Sequence, residues 1–187
     1  MKNYQLHLTL AVLSLFLFSK LHAQDAPKRE VGLQFSGIDF NGFNTFGGFY
    51  KKQLHDNVYR RIRFVSGGLF SAFQEDNTSV GLSIAGAIGR EKRKSLDQKL
   101  EFYRGPEVSL KATYQYQQLA DASVIGLNAR IGYVLGLQHH FNDLWAIQIE
   151  TIPGVSLGAN FPSEGDIVGV FDANFSNSVL LGVARKF

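Results

Sequence analysis

From Ile125 the chain alternates. Odd positions carry Ile125, Leu127, Ala129, Ile131, Tyr133, Leu135, Leu137, His139 and Phe141, while even positions carry Gly126, Asn128, Arg130, Gly132, Val134, Gly136, Gln138 and His140. A period of two puts one apolar face and one small or polar face on an extended strand. The following segment repeats the pattern, with Trp145, Ile147, Ile149, Thr151, Pro153, Val155 and Leu157 on one face. Ala146, Gln148, Glu150, Ile152, Gly154, Ser156 and Gly158 take the other, and FNDL at 141–144 reads as the turn of a hairpin. The last segment alternates Val179, Leu181, Val183, Arg185 and Phe187 against Ser178, Leu180, Gly182, Ala184 and Lys186.

Read this way, the chain predicts eight strands, at 30–38, 45–54, 58–73, 79–92, 99–115, 123–140, 144–160 and 168–187. The alternation slips at Ser66-Gly67-Gly68, where a bulge is expected. Several runs are far longer than the roughly 5–6 residues usual in globular strands. Their polar faces mix charged groups with glycines, which suits a narrow wet lumen. The predicted fold is all-β: a transmembrane, antiparallel, up-and-down β-barrel with an even strand count. A soluble lipocalin-like carrier also alternates and stands as the outside alternative.

The N-terminus reads differently. In MKNYQLHLTLAVLSLFLFSKLHAQ, Lys2 gives a positive flank, Leu8 to Phe18 an apolar core, and Ala23 a small residue before Gln24. That is the pattern of a cleaved secretory signal over 1–23, leaving a barrel domain over 24–187. The apolar run is too short for a membrane-spanning helix. Export permits disulfides, but the chain has no cysteine, so packing and hydrogen bonding must hold the fold. The whole chain carries a formal charge of +3, and the signal holds Lys2 and Lys20 but no acid, so the mature charge is near neutral. With secretion, this argues against a nucleic-acid partner.

The charges are also segregated. Lys51, Lys52, Arg60, Arg61, Arg63, Arg90, Lys92, Arg93, Lys94, Lys99, Arg104, Arg185 and Lys186 fall near strand ends on the side of the termini. The opposite loops carry Asp39, Glu75, Asp76, Asp121, Glu164 and Asp166, with no Lys or Arg. A basic periplasmic rim built on Arg90, Lys92, Arg93 and Lys94 is expected, and an acidic outer rim that would meet the anionic cell surface through divalent cations. Aromatic girdles are expected from Tyr59, Phe102, Phe141, Trp145 and Phe187 on one side, and from Phe70, Phe73, Tyr114, Tyr116, Phe161 and Phe171 on the other.

Arg130 interrupts the most apolar stretch, and alternation turns it inward. Outward at the midplane it would cost roughly 2–4 kcal/mol. Pairing around the 116–123 loop sets it across from Ser109 or Lys111, with Glu107 one diagonal step away, and Gly154 or Ser156 leave it room on the other side. A lumen network of Arg130, Glu107, Lys111 and Glu150 is expected, hydrogen-bonded because confined charge must be paired. Glu101, Arg61 and Arg63 share that inward side in this register.

The segments FGGFYKKQL, YRRIRF, KLEFYRGPEVSL, LGLQHHFNDLW and IPGVSLGA resemble those of the small eight-stranded outer-membrane barrels of Gram-negative bacteria, in particular the Bacteroidetes-type barrel domain. The resemblance implies location in the outer membrane among its lipids. It also implies a C-terminal aromatic, here Phe187, read by the barrel-assembly machinery, although Arg185 departs from the usual aromatic or apolar residue two places earlier.

Three functional classes separate on these residues. Catalysis lacks a base in the outer half, because His55, His139 and His140 all sit at terminus-side turns. Neither a phosphate loop nor metal-ligand spacing occurs, so no enzyme activity, cofactor or metal is expected. A narrow or gated pore for small solutes requires connected water past the inward glycines, and the chain is too short for a large porin. A structural or surface-interaction role in the cell envelope, with a lumen filled by polar groups, is the leading expectation.

Overall fold

The structure is a computed structural model and describes residues 28–39, 42–74, 77–117, 121–174 and 179–187. The predicted signal, and Glu75 and Asp76 of the acidic loops, lie outside the described residues. Ten strand segments form: β1 (Arg29–Asp39), β2 (Gly42–His55), β3 (Val58–Gln74), β4 (Asn77–Ser95), β5 (Leu100–Gln117), β6 (Ala122–His140), β7 (Trp145–Thr151), β8 (Gly154–Pro162), β9 (Val168–Asn174) and β10 (Leu180–Lys186).

These segments make eight staves. β7 and β8 pair with consecutive stretches of β6, interrupted only at Ile152 and Pro153. Proline has no amide hydrogen for the ladder, which accounts for the break. β9 pairs with β8 and β10 with β7, so they follow one another along the last stave. All neighbours are antiparallel, and β1 against β10 closes the barrel from Glu30–Lys186 to Ser36–Leu180. The expected bulge falls at the β3–β4 register shift between Gly67 and Phe70. The turns are tight. Asn57 takes a positive φ of 58° between β2 and β3, and Asn142 Oδ1 accepts hydrogen bonds from the amides of Leu144 (2.9 Å) and Trp145 (2.8 Å) in the FNDL turn.

The side chains sort by parity into two environments. Leu110 and Leu157 are each 67% exposed, Ile131 63% and Phe64 58%, all on the outer face. Inward neighbours such as Arg61, Lys51 and Gln138 are fully buried. A water-soluble fold would reverse this arrangement, whereas lipid requires it. Every mid-wall backbone group must also be satisfied within the sheet, and a closed ladder does that.

The wall is not equally complete at its two ends. Around the termini all eight staves are hydrogen-bonded. Towards the opposite end, the β10–β1 ladder stops at Ser36–Leu180 and the β2–β3 ladder at Thr45–Gly67. The β3–β4 ladder continues to Gln74–Asn77, and the β8–β9 ladder to Asn160–Val168. The first hairpin, β1–β2, is therefore shorter than its neighbours. Above it, among the described residues, β3 from Gly68 and all of β9 have a partner on one side only.

A sealed lower lumen beneath a hollow vestibule

The terminus half of the lumen is filled by ionised side chains. Four cations, Lys51, Arg61, Arg63 and Arg93, meet five carboxylates, Glu30, Glu91, Glu101, Glu107 and Glu150. Arg61 is central. Its guanidinium contacts Glu91 (3.3 Å), Glu107 (3.0 Å) and Glu150 (2.8 Å), which come from β4, β5 and β7. Arg93 binds Glu30 through both terminal nitrogens (2.7 and 2.8 Å) and Glu91 at 2.6 Å. Lys51 reaches Glu91 at 3.2 Å and donates to Gln148 at 2.9 Å. Arg63 pairs with Glu107, and Gln34 donates to Glu150.

Two aromatic rings complete the filling. Tyr103 donates its hydroxyl hydrogen to Glu150 at 2.9 Å, and the Lys51 ammonium lies 4.3 Å from its ring centre. Arg93 stacks over Tyr59 at 3.8 Å. Tyr103 reaches its place because Gly136 lies opposite. A Cβ at Gly136 would sit 2.2 Å from the tyrosine ring, an impossible contact. The same device seats Phe49 over Gly32. Aromatic cover of a strand glycine restores the packing that the missing side chain gives up.

The four residues expected to form one network divide in two. Glu107 and Glu150 lie in the plug, each bound by Arg61. Arg130 faces Ser109 and Ser156 in the ladder, as the sequence placed it, but donates to the backbone carbonyl of Ile152. That carbonyl belongs to the stave break before Pro153, where the regular ladder leaves an acceptor free. Gly154 gives the guanidinium its space, since a Cβ there would stand 3.1 Å from Arg130 Nε. Lys111 has no hydrogen bond or ion pair to another described residue.

Two further placements correct expectations from sequence. Arg93 does not join a basic rim. It shares parity with Glu91 and Ala87 and is buried in the lumen, whereas Arg90, Lys92 and Lys94 are exposed. Tyr59 likewise faces inward, under Arg93, and is not part of a girdle. Trp145, Phe141 and Phe187 do lie at the outer edge of the terminus end, and Tyr114, Phe161 and Phe171 are exposed nearer the other. Arg185 sits among the first group, with its guanidinium 5.7 Å from the Trp145 ring centre and 5.4 Å from that of Phe187. Stacking on aromatic faces is a low-cost way to hold arginine at an apolar boundary.

Sequence reasoning missed Lys51, Glu30, Gln34, Gln138 and Gln148 as plug residues. Parity would have found them: Lys51 falls in phase with Phe49 and Gly47, and Gln148 with Glu150.

Above the plug the lumen is hollow. A cavity of about 410 Å3 is lined by residues of β3, β4, β5, β6, β8 and β9. Its floor is Arg63, held by Glu107, beside Arg130. Ser109, Lys111, Thr113, Asn128, Ser156, Asn160 and Asp172 give it polar walls, and Val65, Ala85, Ala87 and Val170 apolar ones. Among the described residues, no three His, Asp or Glu side chains converge on a metal-sized site.

No protein-family model matches the chain, and no curated protein matches it by sequence. Solved structures do. Ail, the attachment invasion locus protein of Yersinia pestis, in complex with the heparin analogue sucrose octasulfate, matches with a TM-score of 0.52 at 12% identity, over 87% of this chain and 99% of Ail. The N-terminal β-barrel domain of Pseudomonas aeruginosa OprF gives a TM-score of 0.49 at 15% identity, over 87% and 98%. Neisserial surface protein A gives 0.44 at 10%, over 86% and 96%. At such identities the likeness speaks to the fold, and the Ail structure carries it. The chain is an eight-stranded transmembrane β-barrel of the kind found in bacterial outer membranes.

Proposed function

We infer that this protein is an integral outer-membrane barrel with a structural or surface-interaction role in the cell envelope. One observation carries the reading: the lower lumen is closed by an interlocked set of buried ion pairs centred on Arg61. Eight staves leave an interior that side chains can fill, and here they fill it with mutually neutralising charge. Ions have no unobstructed path, which disfavours the alternative of a narrow pore. The apolar outer belt disfavours a soluble carrier.

The likeness of the quoted segments supports placing the chain in the Bacteroidetes-type barrel family, with cleavage after Ala23 and Phe187 as the assembly signal. Arg90, Lys92 and Lys94 form the basic edge that would lie among inner-leaflet headgroups. Acidic residues of the opposite loops, Asp121, Glu164 and Asp166 among them, would meet the outer surface through divalent cations.

The test is single-channel recording of the refolded protein in planar bilayers, with Arg130→Ala alongside. A silent bilayer from verified folded protein is expected. Steady conductance that changes in the Arg130→Ala variant would replace the plug by a gated pathway.

A further inference from the structure

Four cations outside the plug stand in one row across the wall. In the ladders Arg29 of β1 opposes Lys52 of β2, Lys52 opposes Arg60 of β3, and Arg60 opposes Arg90 of β4. Their parity is opposite to that of Lys51, Arg61 and Glu91, so all four point away from the lumen. Arg29, Arg60 and Arg90 are exposed and Lys52 is partly so. Side chains directly opposed on neighbouring strands stand about 5 Å apart at Cβ, and like charges there destabilise the pairing. Nothing in the described chain relieves them. Among the described residues, none of the four makes an ion pair or a side-chain hydrogen bond. The carboxylates that β1, β4 and β5 carry in this half, Glu30, Glu91, Glu101 and Glu107, turn inward and are taken up by the plug. Asp56 and Asp97 lie in turns beyond the strand ends and pair with no member of the row.

The row borders the apolar belt. Two residues further along each strand, about 7 Å away, the outward positions are Val31, Tyr50, Ile62 and Ile88, again in one register. Ile62 is 44% exposed and Ile88 55%. Cations on this face therefore meet lipid headgroups and not the water beneath the mouth of the barrel. The row ends at the closing seam. There Arg29 is bonded through its backbone to Phe187 (2.9 and 3.3 Å), and Arg185 is covered by the rings of Trp145 and Phe187.

We propose that the outer face of β1 to β4 at the terminus end is a binding site for an anionic phospholipid that carries two phosphodiester groups. One phosphate is held between Arg29 and Lys52, the other between Arg60 and Arg90, and the acyl chains lie along Val31, Tyr50, Ile62 and Ile88. A phosphate set between two opposed cations replaces their repulsion by two charge-assisted contacts, and arginine suits it with paired donors. A single phosphodiester reaches two neighbouring strands and leaves the other pair opposed. The row spans three strand spacings, about 14 Å, and tethering two phosphates makes the second contact intramolecular. The site rests on the reading that this basic edge lies among headgroups, and it adds Arg29, Lys52, Arg60 and the class of lipid.

The folded protein in neutral detergent micelles would be titrated with diphosphatidylglycerol, phosphatidylglycerol and phosphatidylcholine, and the one-lipid complex counted by native mass spectrometry. Diphosphatidylglycerol is expected to bind at least about tenfold more tightly than phosphatidylcholine, a difference of about 1.4 kcal/mol, with phosphatidylglycerol between them. The double variant Arg60→Gln, Arg90→Gln should lose this preference. Lys99→Gln removes a cation from the same end but off the row, and should keep it. Folding of each variant is checked by heat-modifiable gel mobility. The double variant relieves an opposed pair, so in lipid-free micelles it should unfold no earlier than the native chain.

Equal affinity for all three lipids overturns the proposal. Phosphatidylglycerol bound as tightly as diphosphatidylglycerol would remove the paired-phosphate site. A loss in Lys99→Gln equal to that in the double variant would replace the site by a general attraction of the basic end. The lipid series uses the native protein, so its outcome does not depend on any variant folding. Micelles have no sidedness, so the result is also independent of which leaflet the row meets. Protease access to the termini in intact cells decides that placement separately: termini shielded from protease in a barrel without lipid preference would refute this site alone.

Discussion

The two halves of the lumen are lined by the same strands yet solve opposite problems. In the terminus half, long charged side chains project from nearly every stave and neutralise one another at 2.6 to 3.3 Å. In the outer half, many inward positions are small, among them Ala85, Ala87, Gly126, Ser156 and Gly158, and space opens. The difference lies in side-chain volume and in hairpin length. Where the wall is complete, large ionic residues brace it. Where one hairpin is short, the lining is small and mixed, and the charged groups there lack the crossed pairing seen below.

This contrast predicts unequal sensitivity to mutation. The largest effect is expected from Arg61→Met, which leaves the buried Glu150 without a cation and takes one of their cations from Glu91 and Glu107. Removing one partner of a buried ion pair typically costs about 3–5 kcal/mol, and urea unfolding in vesicles should show a loss of that order. A wild-type-like midpoint would mean that the plug does not brace the barrel.

Gly136→Val comes next. Its side chain would occupy the place of the Tyr103 ring and push that ring off Glu150, with an overpacking cost of about 1–3 kcal/mol. Combining it with Tyr103→Ala should recover part of the loss, which separates a steric cause from a propensity effect. Tyr103→Phe keeps the ring and removes one hydrogen bond to a carboxylate that Arg61 still holds, so about 1–2 kcal/mol is expected.

The smallest effect is expected from Arg130→Ala in the vestibule, below about 1 kcal/mol. Its visible bond goes to one carbonyl at a stave break, and water in the cavity can replace it. A loss as large as that of Arg61→Met would mean that Arg130 belongs to the brace and that the two halves are not distinct.

How much of this was legible in the sequence follows from what alternation encodes. The eight staves, the bulge after Gly67, and the facing of Arg130 towards Ser109 and Ser156 all follow from period two and turn position. Those relations are local, or concern adjacent strands joined by a turn. The rim assigned to Arg93 and the girdle assigned to Tyr59 went astray for one reason: both were placed by nearness to a strand end, when the parity of the next residues already turned them inward.

The sequence by itself determined that the outside is apolar, that the inside is polar, and which residue opposes which across each hairpin. It could not determine who meets whom across the lumen. Arg61 on β3 touches Glu150 on β7, and Gln138 on β6 lies 3.4 Å from Glu30 on β1. Those pairs face each other only after the sheet closes and its stagger is fixed. Tertiary structure likewise separated Glu107 and Glu150 from Arg130 and Lys111. A side chain's height in a closed barrel depends on the offsets between all the staves, and no single strand carries that sum.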